Sequence, residues 1–213
     1  MLTKGNKMKI FVFGATGRVG QEFVSKALAE NHKVTVFVRS AANLKFNNVQ
    51  VYEGDARDAK VVTRALKDGF DAVVTCLGER SLKASDLIQE SMVAIIAGMK
   101  HTGIKRLLVV SGTAEMPYKT TLGKLYTALL KQTPVGHAVR DHDAAFAWLK
   151  ATDLDWTLAG CNYLRSGPEK GKYKESMTFP GGFKIIHPPD VADFLIRELH
   201  RDTNYKAVVG LWY

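Results

Sequence analysis

Cysteine is nearly missing from this chain. Of 213 residues only Cys76 and Cys161 carry a thiol. Two thiols are too few for a disulfide framework, and no Cys/His spacing matches a metal site. Long apolar runs are missing as well. None approaches the roughly 20 residues that cross a bilayer. The basic lead-in Met1-Leu-Thr-Lys-Gly-Asn-Lys7 runs into an apolar stretch of only about six residues, too short for a signal-peptide core, and Met8 stands as a second candidate start. These absences point to a reduced, cytoplasmic setting away from membranes. Acidic residues are outnumbered, 21 against 30 Lys and Arg, for a net charge of +9. The basic residues are spread out, without the stripe or aromatic-basic motif of a nucleic-acid binder, so no nucleic-acid partner is expected. A positive field that concentrates anionic small molecules accounts for the excess. The composition, 46% hydrophobic and 24% charged, is that of a globular protein, and the length suits one domain with a sizeable core.

What the chain does have is concentrated in residues 10–20. Ile-Phe-Val-Phe-Gly14-Ala-Thr16-Gly17-Arg18-Val19-Gly20 is an apolar run, then a G-x-x-G-x-x-G turn, then a helical pattern. Gly14 lets the chain turn sharply as it leaves a strand. Gly17 keeps side-chain bulk away from a pyrophosphate, and Gly20 lets the helix approach the strand. The start of the helix offers free N–H groups and the positive end of a dipole to phosphates. A second strand, 33–38, follows where a βαβ dinucleotide-binding unit needs it.

That second strand ends Val38-Arg39-Ser40, where a carboxylate usually holds the adenosine ribose. No Asp or Glu occurs between Lys33 and Asn48. A guanidinium cannot accept hydrogen bonds from a ribose hydroxyl, but it pairs with a 2′-phosphate. The expected cofactor is therefore NADP rather than NAD. Arg18 could reach the same phosphate or the pyrophosphate, and Ser40 adds a hydroxyl donor.

Strand and helix patterns alternate along the rest of the chain. Strands are expected at 49–52, 70–77, 106–110, 156–159 and 207–211. Helices are expected at 58–67 with Asp58 as N-cap, 85–101 stopped by Gly103, 121–132, 141–151, and from Pro188-Pro189-Asp190 onward. Residues 165–184, rich in Gly, Lys and Ser, read as a loop and hairpin. This alternation implies an α/β fold: a doubly wound, mostly parallel Rossmann sheet with helices on both faces. The whole of 1–213 forms one domain, with residues 161–187 as a small excursion on the substrate side.

As an ordered set these pieces resemble the atypical short-chain dehydrogenase/reductases, in the branch with NADPH-dependent flavin reductase/biliverdin reductase B and the NmrA-like proteins. The matching residues are Gly14-Ala-Thr-Gly-Arg-Val-Gly20, Val38-Arg39, Gly54-Asp55, Val74-Thr-Cys76-Leu77-Gly78, Asp141-His142 and Pro189-Asp190-Val-Ala-Asp193. The resemblance implies that Asp55 and Ala56 flank the adenine. It further implies that Cys76, Leu77 and Gly78 pass along the adenosine ribose and pyrophosphate, and that the segment Val110-Ser111-Gly112-Thr113 faces the nicotinamide. Two departures stand out. No tyrosine has a lysine four residues later; Lys131 falls one position beyond the place that would share a helix face with Tyr126. The serine and histidine of the flavin/biliverdin branch correspond to Thr113 and Tyr163.

The candidate catalytic residues are accordingly Thr113, Tyr163 and Ser111. A hydroxyl at Thr113 or Ser111 could orient the nicotinamide or the acceptor, and Tyr163 and Phe179 offer aromatic faces to a flat ring. His142 reads as polar packing near a helix start. Lys170, Lys172 and Lys174 read as a solvated hairpin face, or as a basic lip for an anionic acceptor. The expected activity is NADPH-dependent hydride transfer to a planar conjugated acceptor, flavin or quinone ahead of tetrapyrrole. The alternative is a non-catalytic NADP(H) sensor of the NmrA type. A small-molecule partner is expected, with the protein a monomer or weak homodimer.

Overall fold

The computed structural model describes residues 6–78, 85–112, 116, 129, 132–133 and 136–213. The first strand, β1 (Lys9–Phe13), shows how the sheet is built. Side chains alternate across a strand. Ile10 and Val12 enter one apolar layer while Phe11 and Phe13 enter the opposite one. Both layers are covered by helices, so the central strands read as continuous apolar runs. The strands β2 (Lys33–Val38), β3 (Gln50–Glu53), β4 (Ala72–Thr75), β5 (Arg106–Ser111), β6 (Asp155–Cys161) and β10 (Ala207–Trp212) join it in parallel. The short β8 (Lys174–Ser176) closes the edge antiparallel to β10. The sheet order is β3-β2-β1-β4-β5-β6-β10-β8.

Helices α1 (Arg18–Ala29) and α5 (Pro188–Glu198) cover the Ile10/Val12 face. Helices α2 (Ala59–Leu66), α3 (Leu87–Thr102) and α4 (Gly136–Lys150) cover the other. The expected N-cap of α2 is in place: Asp58 accepts the N–H groups of Lys60 (2.9 Å) and Val61 (3.2 Å). Gly103 ends α3 in the left-handed region at φ 77°. Helix α4 starts at Gly136, earlier than the expected 141. The expected helix at 121–132 falls largely outside the described residues.

Residues 165–184 form no hairpin. Their one strand is β8, which pairs with the terminal strand β10. Just before and after them, β7 (Tyr163–Leu164) and β9 (Ile185–Ile186) form a separate parallel pair. Buried Asp190 on α5 holds the connecting segment. Its carboxylate accepts the Gly171 N–H (2.7 Å), the Lys170 N–H (3.1 Å) and the Tyr213 hydroxyl (2.5 Å). No helix among the described residues is long and apolar enough to cross a membrane.

Candidate functional site

Sheet order reverses at β1, whose neighbours are β2 on one side and β4 on the other. Crevices in doubly wound sheets open at the carboxyl ends of strands at such a point. A cleft of about 490 Å³ lies there, lined by Gly14, Thr16 and Gly17 from the first turn. Phe37, Val38, Arg39 and Asn43 line it after β2, Gly54, Asp55 and Ala56 after β3, and Cys76, Leu77, Gly78 and Leu87 after β4.

The glycines shape the cleft in different ways. Gly14 has φ 76°, and a Cβ there would lie 2.6 Å from the Cys76 carbonyl. The turn is thus pressed against the end of β4. A Cβ on Gly20 would lie 2.1 Å from the Gly14 oxygen, so the close approach of α1 to the turn requires a glycine. Gly17 is the N-cap of α1 and carries no side-chain cap, and no acidic residue stands in the first turn. The positive end of a twelve-residue helix therefore meets the cleft without a protein carboxylate to neutralise it. This is the donor set that a pyrophosphate fits.

At the other end of the cleft the charges are arranged asymmetrically. Arg39 is exposed on the cleft wall. Asp55 is gripped by Arg57, whose Nε and Nη2 donate to its carboxylate at 3.0 and 2.6 Å. That side-chain pairing, followed by the Arg57 backbone N–H, lowers the Asp55 carboxyl to about 2. Arg39 adds a smaller contribution of the same sign. Ser40 does not line the cleft; its hydroxyl accepts the Ala42 N–H and starts a 3-10 turn at Ala41–Asn43. Glu53 accepts the Ala41 N–H (2.7 Å) and holds the same turn from β3. Val19 and Gly20 are buried on α1, the Val19 side chain within the apolar layer under the sheet, so only their backbone is left for a ligand. Burial pushes the thiols of Cys76 and Cys161 up to about 12, so both stay protonated.

Arg18 makes an unexpected link. Its Nη1 donates to the Leu164 carbonyl at 2.9 Å, which ties the start of α1 to β7. Tyr163 on that strand is 49% exposed. Its ring lies 5.0 Å from that of Phe183, itself 67% exposed. Phe179 is not part of this surface. It is buried edge-on against Trp212, with Met116 beside them. The aromatic partner of Tyr163 is thus Phe183, which alternation within a regular hairpin would not reveal. Lys170 stacks on the Tyr213 ring with its ammonium 3.6 Å from the centroid, and Lys174 belongs to β8. Thr113 lies outside the described residues. Ser111 ends β5, with its hydroxyl 2.9 Å from His142 Nδ1. His142 is the seventh residue of α4 rather than near its start. Val38 and Gly54, from the motif pieces Val38-Arg39 and Gly54-Asp55, line the cleft beside their neighbours, whereas no local pattern marks Phe37, Asn43 and Leu87, whose proximity to the glycine turn arises only from strand order.

The comparisons with known proteins agree with this geometry. Residues 14–202 match the family described as NAD(P)H-binding. An uncharacterized protein of Bacillus subtilis, YwnB, is 32% identical over 111 residues, and the match covers 51% of this chain and 49% of that relative. The chain thus aligns with about half the length of this curated relative. Among solved structures, ChuY of Escherichia coli O157:H7, described as an anaerobillin reductase, superposes with a TM-score of 0.80 at 24% identity, covering 96% of both chains. A short-chain dehydrogenase/reductase of Veillonella parvula in complex with NADP gives 0.75 at 19% identity, covering 96% of this chain and 94% of that one. A family match over most of the length, on a Rossmann sheet whose switch point carries an uncapped glycine turn, places this chain in the NAD(P)H-binding family.

Proposed function

We propose that this protein is a reductase that uses NADPH and passes hydride to a planar, conjugated acceptor, a flavin or quinone ahead of a tetrapyrrole. The observation that carries the cofactor choice is Arg39, exposed on the cleft wall where a ribose-binding carboxylate would otherwise stand. Gly14, Thr16, Gly17 and the first backbone N–H groups of α1 hold the pyrophosphate. Arg39 holds the 2′-phosphate, and Ala56, Leu77 and Leu87 offer apolar surface to the adenine, with Asp55 beside it. Arg18 bonds the pyrophosphate or keeps β7 in place.

When bound, the nicotinamide supplies the hydride. The work left to the protein is to position the acceptor and exclude water. The exposed Tyr163 and Phe183 rings, tilted 40° to each other, supply aromatic surface on which a flat ring can stack. Ser111 supplies a hydroxyl at the end of β5, and Thr113, two residues further along the sequence, is the second hydroxyl assigned to the acceptor. An acceptor of this kind stores the added electrons in its conjugated system, so its proton can come ultimately from solvent. No Tyr-x-x-x-Lys pair is needed for such an acceptor. The likeness to ChuY brings the acceptor of that protein's name into the screen.

The test is NADPH oxidation with a panel of flavins, quinones and tetrapyrroles. Turnover with at least one supports the reductase. Tight NADPH binding without turnover on any of them favours a sensor. Tyr163→Phe is expected to lower the rate only modestly, because its ring positions the acceptor. A loss of several orders of magnitude would make the tyrosine an obligatory acid and contradict this reading.

A further inference from the structure

At the cleft end of the sheet, Ser111 and His142 form a polar pair that is not among the residues lining the dinucleotide cleft. Ser111 is 7% exposed, and its Oγ lies 2.9 Å from His142 Nδ1 across 31 residues of sequence. The ring is carried by the middle of a helix, and its neighbour fixes that helix. Asp141, 4% exposed, accepts the Ile88 N–H at 2.9 Å and the Gln89 N–H at 2.7 Å, capping the first turn of α3 from α4. The first residue of α3, Leu87, lines the cleft. The β4–β5 ladder pairs Thr75 with Val109. Continuing that register sets Ser111 level with Leu77, another lining residue. One doublet on α4 thus secures both the cleft wall and the serine beside it.

The charges around His142 favour a neutral ring. Burial pushes its pKa below the ordinary histidine value, while Asp141 and Asp143 on its own helix act in the opposite direction. Strand β5 presents the uncharged Ser111 hydroxyl. The acidic residue of helix α3, Glu90, pairs with Arg57 at 3.7 Å, and Gln89 meets α4 through its backbone N–H. A neutral imidazole has one N–H and one lone pair, so it can release a proton at one nitrogen while accepting one at the other.

We propose that Ser111 and His142 form a solvent-fed proton relay. The inference rests on the reductase reading above and assigns the source of the acceptor's proton. Ser111 touches the acceptor; His142 is a positioning residue that acts through it. In the starting tautomer Nδ1–H donates to Ser111 Oγ, and Oγ–H donates to a heteroatom of the acceptor. As the acceptor takes up the nicotinamide's hydride, the Oγ–H bond breaks toward that heteroatom. The Nδ1 proton moves to Oγ, and Nε2 takes a proton from water. The acceptor gains one hydride and one proton, solvent loses one proton, and the imidazole ends as its other neutral tautomer. After product leaves, water delivers a proton to Nδ1 through Ser111 Oγ and removes the one on Nε2, which restores the starting form with no net change.

Nitrogen NMR of the imidazole in the full-length protein, titrated with pH and free of cofactor and acceptor, reads the pair directly. His142 is expected to titrate below 6.5, and Ser111→Ala is expected to move both its midpoint and its Nδ1 resonance. A His142 signal indifferent to Ser111→Ala overturns the relay and leaves the reductase reading standing. Turnover with an acceptor from the screen then separates relay from mere contact. His142→Asn keeps an amide near the Nδ1 position but has no second ring nitrogen to reload. Ser111→Ala, His142→Phe and His142→Asn are each expected to lower kcat about 100-fold. In His142→Asn, KM and the NADPH Kd are expected to stay within about twofold of wild type. Recovery of kcat in His142→Asn overturns the relay. If His142→Phe does not fold, the other two variants still decide. A wild type that binds NADPH but oxidises none of it on any acceptor overturns the reductase reading, and the relay with it.

Discussion

Gly17 and Gly20 are three residues apart in one motif and have opposite duties. A Cβ at Gly20 would meet the Gly14 oxygen at 2.1 Å, against backbone that cannot move aside. At Gly17 the nearest atom is 3.1 Å away and the backbone angles are ordinary ones, φ −76° and ψ 167°. Gly20→Ala is therefore expected to cost about 2–3 kcal/mol of folding stability. Gly17→Ala, with its tight but smaller clash, is expected to lower the urea unfolding midpoint much less than Gly20→Ala. It is expected to weaken NADPH binding at least about tenfold, because the added methyl crowds the turn where the phosphate approaches the helix start. Urea unfolding and a binding titration on both variants check the pair. A Gly17→Ala protein that binds NADPH normally would put the phosphate elsewhere.

His32 makes a second residue-level prediction. The Met8 N–H donates to its Nδ1 at 3.1 Å, so the proton of the neutral ring sits on Nε2. Glu30, His32 and His200 bring ligand-type atoms within 4.8 Å of one another. Nε2, however, presents a proton and not a lone pair to that cluster, so it is no metal ligand in this arrangement. Burial, and then His200, push the His32 pKa below 6.5, against an opposing pull from Glu30. Between that lowered value and 6.5 the unfolded chain binds more protons than the folded one. Stability therefore rises with pH through this window and falls on acidification. His32→Asn, whose Oδ1 can still accept the Met8 N–H, is expected to flatten that slope in unfolding measurements between about pH 5 and 7. An unchanged slope would mean that His32 is not held neutral.

At the scale of elements, what was legible in the sequence is what local chemistry dictates. The bounds of β2 follow from the β-branched and aromatic run Val34-Thr-Val-Phe-Val38, closed by Arg39. The start of α2 follows from Asp58 and the end of α3 from Gly103. The glycine turn could be read because each of its residues acts on near neighbours. Contacts that join distant segments were not legible. Asp141 caps a helix 53 residues away. Ser111 meets His142 only after α4 has packed on α3. Residues 165–184 look like a free hairpin because their partners are α5 and β10, both further along the chain. Asp190 is the centre of that arrangement. Asp190→Ala would strip a partner from two backbone N–H groups and the Tyr213 hydroxyl. The expected loss is about 3 kcal/mol, with faster proteolysis of the segment around Lys170 and Gly171. Protease resistance equal to wild type would show that other contacts hold the segment.

Over the whole molecule the sheet order brings together residues from four separate strand ends, and no local pattern could assemble that list. Strand alternation was enough to expect a Rossmann sheet, and the glycine turn was enough to expect a dinucleotide. The cleft itself comes from topology: reversal at β1 opens a gap between the segments after β2 and β4, and the uncapped end of α1 faces it. A net charge of +9 favours the approach of any anionic cofactor, so affinity for dinucleotides in general does not isolate the site. The difference between two of them does. Binding of NADPH and NADH to the intact protein and to Arg39→Ala, at fixed salt, is the direct measurement. NADPH is expected to bind at least about tenfold more tightly than NADH, and Arg39→Ala to remove most of that gap, on the order of 1–3 kcal/mol for a charge-assisted phosphate contact. Equal affinities in the intact protein, or a preference that survives Arg39→Ala, would contradict the assignment of this cleft to NADPH.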